Sequence, residues 1–89
     1  MDQEKLKLWA ILLEQEMQKH RAESKDVAAL YEYKELIEAI NSAKENRIEK
    51  LIELPALTYY FFETNIRDFK ELANALSVFS LLLEGLDSA

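Results

Sequence analysis

Few side chains in this chain could carry chemistry. It has one histidine, His20, no cysteine, and a single glycine in place of any glycine-rich loop. Glu16, His20 and Glu23 stand at i, i+4 and i+7, a spacing that points all three the same way on a helix. An imidazole between two carboxylates could in principle hold a divalent metal. The spacing, however, is not the Glu-x-x-His of di-iron bundles, no second copy occurs, and His20 falls on an apolar stripe. A packed or helix-end histidine is expected, with no metal and no cofactor. Glu32, Glu35 and Glu38 recur every third residue and suggest paired acids for general acid-base work. Such pairs need opposite walls of a cleft, whereas these lie side by side on one helix and read as a solvated charged face. No catalytic residue is assigned, and a function other than an enzyme's is expected.

The elements that carry these residues are helical. One glycine and one proline in 89 residues leave little for sheet turns, while Leu, Glu, Ala and Lys favour helix. A chain this short supports one core and hence one domain over residues 1–89. Four segments have helical periodicity. The first runs from Asp2 to about Glu23, with Leu6, Trp9, Ala10, Leu13, Met17 and His20 on one stripe and Asp2 placed to cap it. The second starts at Ser24 or Asp26 and gathers Ala29, Leu30, Tyr33, Leu36, Ile37 and Ile40. Residues 41–46 are the best break, though one continuous helix through them is the alternative. The third runs from about Arg47 to Glu63, with a kink or fresh start at Pro55. The fourth spans about Ile66 to Glu84, started by Asn65 and stopped by Gly85. The predicted fold is all-α, a small antiparallel four-helix bundle; the alternative has three helices, one long and kinked at Pro55.

Phe69-Lys-Glu-Leu-Ala-Asn-Ala-Leu-Ser-Val-Phe-Ser-Leu-Leu-Leu-Glu-Gly resembles the helix-turn-helix of phage-repressor-type DNA-binding proteins, in which a Glu-Leu-Ala helix is followed by a turn and a recognition helix. The resemblance implies a turn near Ser77, where that family usually has glycine. It also implies a base-reading helix afterwards, yet Phe79 to Leu83 carry no Arg, Lys, Gln or Asn to reach bases or phosphates.

Charge argues the same way against nucleic acid. The net charge is −6; residues 1–25 hold five acids and five bases, and residues 26–89 hold twelve acids and six bases. Nucleic acid would be repelled, and a basic protein would be attracted. Absence of cysteine fits a reducing cytoplasm. The apolar stretch from Leu8 to Leu13 is too short to span a membrane, and Glu14 and Glu16 follow it where a signal peptide would have small residues, so no membrane association is expected.

What stands out is apolar surface in excess of one core. On the third predicted helix Ile48, Leu51, Ile52, Tyr59 and Phe62 make one stripe, leaving Leu57, Tyr60 and Phe61 on another side. On the fourth, Val78, Leu81 and Leu82 point away from a stripe of Ile66, Phe69, Leu72, Ala73, Leu76, Phe79 and Leu83. Leu8, Ile11 and Leu12 lie behind the stripe of the first. A helix apolar on two sides must be covered on two sides. Leu57, Tyr60, Phe61, Val78, Leu81 and Leu82 are therefore the candidate interface, with a second copy of the chain as the simplest partner. The alternative is a monomeric acidic inhibitor, immunity-type protein or secretion chaperone that binds a basic protein.

Overall fold

Asp2 caps the first helix as its position suggests: its carboxylate accepts the Lys5 N–H at 3.1 Å. The helix it opens, α1, runs Gln3–His20 in the computed structural model, which describes residues 2–85. Four further helices follow: α2 (Lys25–Ala29), α3 (Lys34–Lys44), α4 (Leu57–Glu63) and α5 (Lys70–Leu83). The described residues are all helix and loop, with no strand, as the periodicity predicts. Among the described residues there are five α-helices where the sequence suggested four helices. The long helix α1 lies against both α3 and α5. Leu6, Ala10, Leu13 and Met17 of α1 are buried, as are Leu36, Ile40 and Ala43 of α3 and Leu72, Leu76, Phe79 and Leu83 of α5. No helix among the described residues is long and apolar enough to cross a membrane.

The second predicted helix is split. Ser24 starts α2 by accepting the Asp26 and Val27 N–H groups on its hydroxyl, and a 3-10 turn, Leu30–Glu32, follows. Tyr33 then takes an extended conformation (φ −82°, ψ 91°) before α3 begins. No glycine or proline marks this break. Its cause is tertiary: Tyr33 is buried, its hydroxyl accepts the Ala56 N–H at 3.3 Å, and its ring stacks on Tyr60 with centroids 5.9 Å apart.

The break within residues 41–46 is real and falls at their end. Arg47 N–H bonds the Ser42 carbonyl and Asn46 N–H bonds the Ala43 carbonyl, while Asn46 has φ +57°. These are the two hydrogen bonds of a Schellman motif, with asparagine as the left-handed residue that glycine more often supplies.

The expected third helix from Arg47 does not form. Residues 47–54 are irregular, and the helix begins only at Leu57, after Pro55. Proline disfavours helical geometry at Leu54 and removes a donor, so a fresh start replaces the kink. The non-helical run is tethered instead: Ile52 N–H bonds the Leu83 carbonyl at 2.8 Å, and Ile48 and Leu54 reach the core.

The start of the fourth predicted helix also moves. Asn65–Asp68 forms a 3-10 turn, with the Thr64 hydroxyl accepting the Ile66 N–H, and Phe69 (φ −99°, ψ 86°) separates it from α5. Gly85 ends α5 as expected, in a left-handed conformation (φ +85°) that glycine adopts freely, with its N–H on the Leu82 carbonyl. Since α5 runs unbroken through Ser77, the turn implied by the helix-turn-helix resemblance is absent.

Candidate functional site

Where α4 begins decides which of its aromatics face water. Side chains advance about 100° per residue along a helix, so a stripe carried forward from Ile48 and Leu51 across Pro55 stays in phase only if the helix is continuous. It is not. With α4 started at Leu57, the inward side is Leu57, Tyr60 and Phe61: Leu57 is buried, and Tyr60 and Phe61 pack half-buried against the core. Tyr59 and Phe62 face outward, 57% and 67% exposed. The two faces are thus the reverse of those read from the sequence.

The six candidate interface residues are accordingly distributed. Leu57 and Leu82 belong to the core. Tyr60, Phe61 and Val78 are partly buried against it, and Leu81 is partly buried on α5. Tyr33, after the 3-10 turn, stacks on Tyr60, and Ile52 of the non-helical run bonds the Leu83 carbonyl at the end of α5. Helix α1 keeps its expected outer side, with Leu8 and Leu12 exposed.

Tyr59 and Phe62 lie three residues apart on one side of α4, and Leu51 in the preceding run is 62% exposed. Arg67 holds its guanidinium 5.7 Å from the centre of the Phe62 ring, within cation-π range. Tyr59 meets Tyr60 edge-on at 5.4 Å, and Tyr60 in turn stacks on Tyr33. Burial raises the pKa of the Tyr60 hydroxyl above the usual tyrosine value, helped by Tyr59, Glu32 and Asp26 nearby.

Beside Leu12, a cleft of about 320 Å³ opens between α1 and α5. Trp9, Leu12 and Ala75 form its apolar part, and Glu16, Lys70, Glu71 and Asn74 are the polar groups around them. Its volume is at the lower end of the range for ligand sites, roughly 300 to 1,000 Å³.

His20 has the packed position expected of it. Its ring lies 4.5 Å from Phe69, Nδ1 is 2.6 Å from Glu23 Oε2, and Nε2 is 3.6 Å from Glu16 Oε1. That Glu16 oxygen is buried without a hydrogen-bond partner. Among the described residues no group of side chains is placed to hold a metal ion. Glu32, Glu35 and Glu38 are all exposed.

Compared with known protein families, with curated protein sequences and with solved structures, the chain matches none.

The residues that sequence reasoning placed wrongly, Tyr59 and Phe62, had a usable signal. Pro55 permits a fresh helix start, and restarting the phase at Leu57 brings Leu57, Tyr60 and Phe61 onto the inner side. Its spacing puts Trp9 on the core stripe, but Trp9 is half-buried at the cleft, a position set by the packing of α5 on α1.

Proposed function

We propose that this chain is a non-enzymatic protein-interaction module that associates with a second copy of itself through the outer side of α4. One observation carries this reading. Of the nine aromatic residues, Tyr59 and Phe62 alone are exposed, and they are neighbours on one helix face. A paired, exposed aromatic edge is what a desolvated interface centre uses, since aromatics dominate such centres and clustered apolar surface seldom stays open to water. Tyr60 and Phe61, half-buried against the core, anchor α4 from beneath. A two-fold pairing covers the edge with a surface already encoded in the chain.

Net charge supports a second reading, in which the same edge meets a basic protein drawn by the charge of −6. Sedimentation velocity across a range of concentrations separates the two. Self-association predicts a dimer mass and a melting temperature that rises with concentration. A monomer mass together with a concentration-independent melting curve overturns self-association and leaves the basic-partner reading.

A further inference from the structure

We infer that, in the dimer proposed above, the contact is reciprocal: Phe62 and Arg67 of each copy enter the cleft between α1 and α5 of the other. This rests on the self-association reading and specifies where the aromatic edge docks.

The two surfaces match in kind. The projecting part offers an aromatic ring carrying a guanidinium, with Glu63 next to Phe62 on the chain. The cleft offers Trp9, Leu12 and Ala75 for the ring, the carboxylates of Glu16 and Glu71 for the guanidinium, and Lys70 for Glu63. Among the described residues neither Arg67 nor Glu71 has an ion-pair partner, so each is free to take one from a second copy. A cleft of about 320 Å³ has room for a phenylalanine ring and the guanidinium above it. A ring between Trp9 and Leu12 would be desolvated on both faces, the setting in which an aromatic side chain contributes most to binding.

Their placement suits two-fold symmetry. Arg67 and Lys70 are three residues apart, so the projection and the edge of the cleft lie within about 11 Å of each other along the chain. When a projection and its receptor are neighbours on one surface, a two-fold axis between copies can seat both at once, and the assembly closes as a dimer. The same contact made without that axis would propagate into a filament.

The test is a set of full-length variants whose dissociation constants are read by sedimentation, with circular dichroism as the check on folding. Phe62→Ala removes the projection, Leu12→Glu spoils the apolar part of the cleft, and Glu71→Arg and Arg67→Glu reverse one charge on each side of the contact; all four positions are exposed. Each single change is expected to weaken association about tenfold or more. Combining Arg67→Glu with Glu71→Arg in one chain restores the charge match and is expected to bring affinity back to within a few-fold of the original. If Phe62→Ala weakens the dimer but Leu12→Glu and Glu71→Arg do not, the cleft is not the receptor: this inference fails and self-association through α4 stands. If the paired charge reversal is as weak as the two single changes added together, the Arg67–Glu71 contact is absent and the reciprocal arrangement fails. A chain that remains monomeric at every concentration overturns self-association and this inference with it, and leaves the basic-partner reading. Should Leu12→Glu lose helicity, Glu71→Arg reports on the cleft in its place.

Discussion

The Gln3 side chain holds the backbone of Ile48 at both polar atoms, with Nε2 donating to the Ile48 carbonyl at 2.7 Å and Oε1 accepting the Ile48 N–H at 3.3 Å. These residues are 45 positions apart, and the contact joins the first turn of α1 to the start of the non-helical run. A chain that leaves helical geometry inside a packed molecule must find other partners for its backbone groups. One amide side chain provides two of them, and Ile48 can then enter the core without a helix around it.

Replacing Gln3 by alanine leaves both Ile48 backbone groups without protein partners in a partly buried place. The expected loss is about 1 to 3 kcal/mol of folding stability, measured by urea unfolding. Gln3→Glu keeps the acceptor for the Ile48 N–H but loses the donor to its carbonyl, so it should lie between the wild type and Gln3→Ala. Equal stability of all three proteins would mean that water substitutes freely for the side chain.

The inverted faces of α4 give opposite outcomes for two neighbouring changes. Leu57 is buried, so Leu57→Ala should cost about 2 to 5 kcal/mol. Phe62 is two-thirds exposed, and Phe62→Ala measured at concentrations low enough to keep the chain monomeric should change stability by no more than about 0.5 kcal/mol. Reversal of this order would restore the assignment made by carrying the helical phase across Pro55.

How much of this was legible follows from which interactions set each element. The start of α1 and the end of α5 are local matters, settled by Asp2 and by Gly85, and both could be read from residue type. So could the end of α3, where Asn46 supplies the left-handed residue. The break at Tyr33 could not be, because the partner that makes it worthwhile is Ala56, 23 residues away. Residues 47–54 misled for a related reason: Ile48, Leu51 and Ile52 fit a helical stripe, but hydrogen bonds with the Gln3 side chain and to the Leu83 carbonyl favour a different path. A helix through that stretch would put α4 in the wrong phase and send Tyr59 and Phe62, which are exposed, to the interior. The cleft beside Trp9 depends on how two helices cross, which no local pattern encodes.

Ser24 joins two jobs in one hydroxyl. It accepts the Asp26 and Val27 N–H groups at the start of α2 and donates to Asn65 Oδ1 at 2.8 Å, while Asp26 accepts the Asn65 N–H at 3.1 Å. Ser24→Ala therefore removes a helix cap and a bond to the turn before α5, at an expected cost of about 1 to 2 kcal/mol. Ser24→Asp can keep the cap but presents a carboxylate, with no proton to donate, to the Asn65 oxygen. It should recover part of the stability, and thermal unfolding of the three proteins measures the division. Full recovery with Ser24→Asp would show that capping alone matters.

Alkaline pH should loosen the fold through its tyrosines. Burial raises the pKa of Tyr31, Tyr33 and Tyr60 above the ordinary value of 10.0, so at a given high pH these hydroxyls keep their protons in the folded chain while the same groups ionise in the unfolded one. Below pH 10 both states are protonated and the tyrosines impose no pH dependence. As pH rises above 10 the unfolded state gains charge first and is favoured, and stability falls until the folded-state values have been passed. For Tyr33 burial is the largest cause, opposed by the hydrogen bond from the Ala56 N–H, which favours the ionised oxygen. For Tyr60 the neighbouring Tyr59, Glu32 and Asp26 add to the burial effect. Tyr60→Phe should therefore lose less melting temperature than the wild type between pH 9 and pH 11, because it removes one group that prefers to ionise in the unfolded chain. Lysines titrate over the same range, so the comparison with Tyr60→Phe isolates the tyrosine contribution. Absorbance at the phenolate band gives the second readout, with the folded wild type ionising at higher pH than the urea-unfolded chain. Coincident titration of folded and unfolded protein, with parallel melting curves for wild type and Tyr60→Phe, would place Tyr60 in water and remove the stack on Tyr33 that holds α4 against the core.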